Sequence, residues 1–131
     1  MNNFQIASDN GSGIICFSPL AQGLLTGKYN NGIPSDSRAA KPSVFLNAKD
    51  ITPARIEAAR KLNEIATRRS QSLSQMALAW VLNDKRVTSV IIGTSSVRQL
   101  EQNMEAIQNT TFSQDEINEI NEIIENDNIS F

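Results

Sequence analysis

The sequence contains no histidine, one cysteine and one tyrosine. Without histidine the chain lacks the commonest general acid–base group and metal ligand, and it cannot form a Ser–His or Cys–His nucleophile. The only cysteine, Cys16, forms no internal disulfide, which fits a reducing cytosol, so we expect a cytoplasmic protein. Its position in the apolar run IICF favours a small buried hydrophobe over a nucleophile. We expect no metal site.

Positive charge and long apolar runs are also scarce. The net charge is −2, so no overall basic field attracts nucleic acid or an anionic membrane. The longest apolar run is far shorter than the roughly 18 residues of a membrane-spanning helix. The N-terminal residues MNNFQIASDN have neither the basic start nor the apolar core of a secretory signal. We therefore expect a globular domain with no nucleic-acid or membrane partner.

Two short apolar runs predict β-strands. The first is GIICFS, residues 13–18, and the second is VTSVIIG, residues 87–93. Neither alternates with polar residues, so both are predicted to be buried on both faces. Residues 20–50, rich in glycine and proline, are predicted to be irregular. A stretch of this length is either a functional loop or a disordered one.

Four helices are predicted from their start signals and their apolar spacing. Each start carries a hydroxyl cap, followed in most cases by proline or by a glutamine or glutamate three residues later. These caps are Thr52 with Pro53, Ser72 with Gln75, Ser95 or Ser96, and Ser113 with Glu116. The methionine and tryptophan stripes behind them are interpreted as ordinary core. The chain thus divides into 13–50, 52–83, 87–109 and 113–125.

The order of these elements predicts an α/β architecture. Buried strands that alternate with helices favour parallel strands joined by crossover connections. Two strands do not make a stable parallel sheet, so the sequence indicates part of an architecture rather than all of it. Bare strand edges recruit other chains, and we expect self-association or binding to a missing part.

Two segments have the composition of phosphate-binding loops. In FSPLAQGLLTGKY, residues 17–29, three residues separate Gly23 from Gly27, and Tyr29 follows Lys28. A P-loop needs four residues between the two glycines and a serine or threonine after the lysine, so this segment does not predict an ATPase. In IIGTSSVRQLEQN, residues 91–103, a strand ends in glycine and a hydroxyl-rich turn opens a helix, whose N-terminus attracts anions. Taken alone this second signal is weak, because serine caps many helices.

Taken together, FSPLAQGLLTGKY, SDSRA and SQMALAWVLNDKRVTSVIIGTSSVRQLEQN resemble the C-terminal part of the aldo-keto reductase family. They are most similar to the branch that holds potassium-channel β-subunits and bacterial reductases of methylglyoxal and glyceraldehyde phosphate. The resemblance runs from about Gly13 to Ile124. It implies strands seven and eight of a TIM (β/α)8 barrel with their helices, incomplete on their own. A complete barrel takes about 250 residues, so we expect a C-terminal fragment starting at an internal methionine, or one part of a split protein.

The resemblance also implies NADP(H) as the cofactor, bound without a Rossmann motif. The first loop would run along the pyrophosphate through Ser18, Pro19, Leu20, Ala21 and Gly23. Side chains that reach the phosphates and the adenosine end would be Thr26, Lys28 and Arg38. Contacts to the 2′-phosphate and ribose would come from Gly93, Ser95 and Gln99, and a contact to adenine from Asn103. Gln102 stands where family members often have glutamate, with a modest expected effect on adenine binding.

The catalytic residues that the resemblance implies are an aspartate, a tyrosine, a lysine and a histidine on the first four strands. A nicotinamide-stacking aromatic would come from the sixth strand. All of them lie upstream of anything in this chain, and Tyr29 falls in the cofactor loop. We therefore expect NADPH-dependent reduction of a small carbonyl substrate only in a complete barrel. The alternative is a non-catalytic remnant or assembly module.

Overall fold

The structure is a computed structural model that describes residues 3–26 and 51–126, apart from the side chains of residues 22–24 and 126. Five helices, two strands and two 3₁₀ turns follow one another along these residues. In chain order they are α1 (Asn3–Asp9), β1 (Ile14–Phe17), a 3₁₀ turn (Ala21–Thr26), α2 (Pro53–Arg68), α3 (Leu73–Asn83), β2 (Val87–Ile91), α4 (Val97–Met104), a 3₁₀ turn (Glu105–Gln108) and α5 (Gln114–Asn126). The predicted irregular stretch thus begins with a 3₁₀ turn, and the rest of it lies outside the described residues.

The two strands pair in parallel, as the alternation of elements predicts. Ile14 pairs with Val87 at one end and Phe17 with Ile91 at the other, with one irregularity after Ile14. The Ile14 N–H donates to the hydroxyl of Thr88 at 3.1 Å. A Cβ placed on Gly13 would lie 3.1 Å from that same hydroxyl. The absence of a side chain at Gly13 therefore allows the close approach that starts the pairing.

Hydroxyl caps begin the helices where the sequence predicts them. Thr52 accepts from the Arg55 N–H, and Ser72 and Gln75 form a reciprocal capping box. Ser113 and Glu116 form a second reciprocal pair at the start of α5. Helix α4 is capped by Ser96. The sequence analysis missed α1, a seven-residue helix with no buried residue.

The core lies between α2, α3 and α5. It contains the interior faces of α2 and α3, including Ile65 and Ala79, which are fully buried, and Ile120 of α5. Phe112, just before α5, meets the half-buried Trp80 edge-on with ring centroids 5.2 Å apart. The aromatic contact joins the α3 and α5 sides of the core. No helix within residues 3–26 and 51–126 is long and apolar enough to cross a lipid bilayer.

Arg69, the residue after α2, connects that helix to the start of α5. Its side chain is only 4% exposed and pairs with Glu116 at 2.8 Å. The same guanidinium donates to the carbonyls of Asn109 and Thr111 and lies 3.8 Å from the ring centre of Phe112. It therefore fixes the segment that leads into α5 by charge, hydrogen bonds and stacking at once.

The prediction that both strands are buried on both faces is wrong for much of their length. Ile15 is 61% exposed, Phe17 79% and Ile91 59%. Each strand has one neighbour among the described residues, so the outer edge and part of each face meet solvent. The interpretation of the methionine stripes as core is also wrong for Met104, since the apolar face of α4 is exposed at Val97, Leu100 and Met104, as is Ile107 beyond it. Burial on both faces requires layers that these two strands do not have.

Candidate functional site

The parallel register brings both candidate phosphate loops to one edge of the sheet. Phe17 pairs with Ile91, so the residues that follow each strand leave the sheet side by side. One strand continues into Ser18 and the 3₁₀ turn, and the other into Gly93 and the start of α4. Loops at the carboxyl ends of parallel strands are the usual ligand-binding position in α/β folds. The two sequence segments thus form one candidate site.

The first loop is held in a strained turn. Ser18 has a φ of 53° and Ala21 a φ of 47°, both in the left-handed region that side chains with a Cβ disfavour. The Ala21 N–H donates to the Ser18 carbonyl at 3.1 Å, which closes the turn around Pro19 and Leu20. Leu25 is buried and anchors the 3₁₀ turn that follows, which also carries Gly23 and Thr26. Backbone strain of this kind is concentrated at ligand-binding segments.

The second loop pairs two of the predicted site residues. The N–H and the hydroxyl of Ser95 both donate to Oε1 of Gln99, at 2.8 and 3.1 Å. The Gln99 N–H in turn donates to the Ser96 hydroxyl at 3.2 Å. A Cβ at Gly93 would meet no atom within 4 Å, so the space beside this loop is open. Ser95 and Gln99 therefore present a hydroxyl and an amide together at the N-terminus of α4.

Asn103 is the buried polar residue of the site. It lies one helical turn after Gln99 and is 4% exposed. Its side-chain nitrogen has no hydrogen-bond acceptor among the described residues. A buried amide donor left without a partner costs about 1–3 kcal/mol, so such a group in a native fold calls for an explanation. A ligand with an acceptor atom at this position is one.

Some of the predicted site residues are placed differently or are not described. The side chain of Gln102 is exposed, and its backbone carbonyl, rather than its amide, makes the described contact. Lys28 and Arg38 lie outside the described residues. Over the described ranges, no group of three or more histidine, cysteine, aspartate or glutamate side chains is arranged to hold a metal ion.

Sequence reasoning missed a second role of Gln75. The sequence identifies it as the partner of Ser72 in a capping box. In the structure its side-chain nitrogen also donates to the Gln102 carbonyl at 2.7 Å and to the Glu105 carboxylate at 3.0 Å. These partners lie 27 and 30 residues further along the chain, so no local sequence pattern could have revealed the contact.

Comparison with known proteins assigns this arrangement to a family. The sequence model of the Aldo/keto reductase family matches residues 2–125. The chain belongs to the aldo/keto reductase family. This confirms the resemblance seen in the sequence, and the family generally uses NADP(H).

Curated relatives come from both expected branches of the family. The chain is 52% identical over 119 residues to an L-glyceraldehyde 3-phosphate reductase of Escherichia coli (strain K12). The matched residues make up 88% of this chain and 34% of that relative. It is 37% identical over 101 residues to a putative voltage-gated potassium channel subunit beta of Schizosaccharomyces pombe. These residues make up 75% of this chain and 29% of that relative. The chain therefore spans about a third of the length of the curated relatives it matches.

A solved structure shows the fold of this aldo/keto reductase chain. The glycerol dehydrogenase of Gluconobacter oxydans superposes with a TM-score of 0.73 at 20% identity, covering 95% of this chain and 38% of that one. The expected fold class is confirmed, since the two strands and their helices are part of a TIM (β/α)8 barrel. The exposure of Ile15, Phe17 and Ile91 has its reason here, because strands inside such a barrel have neighbours on both edges.

Proposed function

We propose that this chain is the NADPH-binding C-terminal part of an NADPH-dependent carbonyl reductase. The observation that carries the proposal is the buried side-chain nitrogen of Asn103, which has no acceptor among the described residues. Asn103 lies on the helix that follows the second of the two loops, which meet at one sheet edge. In the family fold these loops are the usual phosphate site. When bound, the cofactor supplies a hydride for reduction of a carbonyl group. The segments 13–50 and 87–109 hold the cofactor in this proposal, while 52–83 and 113–125 support them.

The chain's own residues then have distinct roles along the cofactor. The turn from Ser18 to Gly23 lies along the pyrophosphate, and Thr26, Lys28 and Arg38 provide a hydroxyl and two positive charges for the phosphates and the adenosine end. Gly93 allows close approach, while Ser95 and Gln99 bind the 2′-phosphate and ribose. Asn103 donates to adenine, next to Gln102. The pairing of Ser95 with Gln99 supports this assignment because it presents both groups together.

The substrate class follows from the same reasoning. The 52% identical relative is named for reduction of L-glyceraldehyde 3-phosphate, which favours a small aldehyde as the substrate of the complete barrel. The 131-residue sequence has no histidine, and the family's proton-donating set is assigned to earlier strands. We therefore propose that turnover requires those strands as well. The single cysteine supports a cytoplasmic location.

A second candidate is a non-catalytic assembly module. The exposed apolar residues Phe17 and Ile91, which are paired across the two strands, favour it, because exposed apolar patches often mark interfaces. Cofactor titration separates the two candidates, since an assembly module has no reason to distinguish NADPH from NADH.

The test is an equilibrium titration of the full chain with NADPH and, separately, with NADH, in which calorimetry measures the binding. We expect NADPH to bind more tightly, because its extra phosphate faces Ser95 and the start of α4. Ser95→Ala should narrow the preference for NADPH over NADH by about tenfold to a hundredfold, since a charge-assisted hydrogen bond contributes about 1.5–3 kcal/mol. Asn103→Ala should weaken the binding of NADPH and of NADH to the same extent, because both cofactors carry adenine.

The matched control is Ser12→Ala, which makes the same change at an exposed residue before the opposite end of β1. It should leave both affinities unchanged. Equal affinities for NADPH and NADH in the unmutated chain would contradict the proposed 2′-phosphate site.

A further inference from the structure

Both polar atoms of the Gln75 side chain form hydrogen bonds, three in all. Its Oε1 accepts from the Ser72 N–H at 2.8 Å, which completes the cap of α3. Its Nε2 donates to the carbonyl of Gln102 at 2.7 Å and to the carboxylate of Glu105 at 3.0 Å. The residue is 9% exposed, so these bonds are shielded from competing water. One side chain therefore links the start of α3 to the end of α4.

Helix α4 buries little of its surface against the described residues. Asn103 is its single buried residue over Val97–Met104. The face that carries Val97, Leu100 and Met104 is exposed. The bond from Gln75 reaches the peptide carbonyl of Gln102, which is joined directly to the nitrogen of Asn103. A contact made by another helix thus holds the peptide group that leads into Asn103.

We propose that Gln75 is a positioning residue for nucleotide binding, holding the end of α4 so that the amide of Asn103 faces the adenine. This rests on the proposed function, in which Asn103 contacts the cofactor. Gln75 itself does not touch the nucleotide and acts only through Asn103. The sequence-level role as a helix cap and the positioning role use different atoms, Oε1 for the first and Nε2 for the second.

The variant Gln75→Glu separates these two roles. A glutamate still accepts from the Ser72 N–H and keeps the cap, but it cannot donate to the Gln102 carbonyl. We expect NADPH to bind at least about fivefold to tenfold more weakly, which is the effect of losing one hydrogen bond of about 1–1.4 kcal/mol. Glutamate loses both bonds donated by Nε2 and adds a carboxylate beside Glu105. Glu105→Gln is the matched control, since it changes the second partner and leaves the bond to Gln102 in place. It should bind NADPH like the unmutated chain.

A double-mutant cycle with Asn103→Ala distinguishes positioning from general structural damage. If Gln75 acts through Asn103, Gln75→Glu should change the NADPH affinity less than twofold when Asn103 is already alanine. Its effect on thermal stability should persist in both backgrounds. An affinity loss of equal size with and without Asn103 would overturn the proposal.

A measurement without cofactor keeps this inference separate from the proposed function. In ¹⁵N nuclear magnetic resonance spectra, the side-chain amide signals of Asn103 should shift or broaden in Gln75→Glu and stay in place in Glu105→Gln. The dispersion of the same spectra reports whether each variant is folded. Unmoved Asn103 signals in folded Gln75→Glu would refute the positioning role. Absence of NADPH binding by the unmutated chain would instead refute the proposed function, while the Asn103 signals still decide the role of Gln75.

Discussion

The guanidinium of Arg69 concentrates more interactions than any neighbouring charge. It is 4% exposed. It pairs with Glu116, donates to two backbone carbonyls and stacks on the Phe112 ring. We expect Arg69→Met to lower the free energy of unfolding by about 3 kcal/mol, because removing one partner of a buried pair leaves the other charge and the carbonyls without compensation. Urea denaturation followed by circular dichroism measures this change.

Arg68 provides the matched control one position earlier. It pairs with Glu119 on the surface, with side chains 56% and 45% exposed. Solvent screens exposed pairs of this kind, so Arg68→Met should lower the free energy of unfolding far less than Arg69→Met. Equal losses of unfolding free energy in the two variants would show that burial of Arg69 does not govern its contribution to stability.

At the scale of elements, the N-terminus of α5 makes stability depend on pH. Burial alone would raise the pKa of Glu116, but hydrogen bonds from the Ser113 N–H and from Arg69 outweigh it and lower the pKa below its ordinary value. A carboxyl whose pKa is lowered by folding stabilises the fold above its unfolded pKa, and this contribution is lost as the pH falls through the folded pKa.

Glu116→Gln tests this dependence. Its amide oxygen still accepts from the Ser113 N–H, whereas the charge beside Arg69 is gone. At pH 7 we expect the variant to be less stable by about 1–2 kcal/mol, with the difference shrinking as the pH falls from about 5 towards 3. Denaturation at constant ionic strength measures the difference. Asp84, whose pKa Arg86 lowers to about 2, is common to both proteins, so its own protonation cancels. A difference independent of pH would contradict the lowered pKa.

The same helix starts show how far the sequence predicts the elements. The pairs Ser72–Gln75 and Ser113–Glu116 were predictable because a capping box lies within four consecutive residues. The exposure of Ile15 was not, since the burial of a strand depends on neighbours that its own residues do not specify. Ser95 and Gln99, which the resemblance implies as cofactor contacts, are one helical turn apart and hydrogen-bonded to each other, and their role in binding stays a prediction. The contact of Gln75 with Gln102 crosses 27 residues, beyond any local pattern.

At the scale of the whole molecule, the exposed apolar residues predict association. Phe17 and Ile91 are paired across the two strands and are 79% and 59% exposed, and Met104 and Ile107 of the α4 region are also exposed. We expect the chain alone to sediment as a dimer or larger species, because strand edges and apolar patches recruit partners. Phe17→Lys should shift the population towards the monomer in analytical ultracentrifugation.

Ile6→Lys is the control for this experiment. Ile6 is 42% exposed and lies on α1, which leads into the end of β1 opposite to Phe17. It should leave the sedimentation unchanged. A monomer that unfolds cooperatively in the unmutated chain would contradict association through the sheet.

The bond from the Ile14 N–H to the Thr88 hydroxyl joins residues 74 positions apart, and this separation sets an order of folding. Closing a flexible loop of that length costs about 4 kcal/mol of chain entropy, which two strands of four and five residues repay poorly. Helices α2 and α3 contact each other within residues 51–83, so we expect this part of the core to form earlier and to shorten the loop that remains. We therefore expect the strand pairing, and with it the nucleotide site at its edge, to be acquired last and lost first. Faster amide exchange at Cys16 and Val90 than in α3 is the observable.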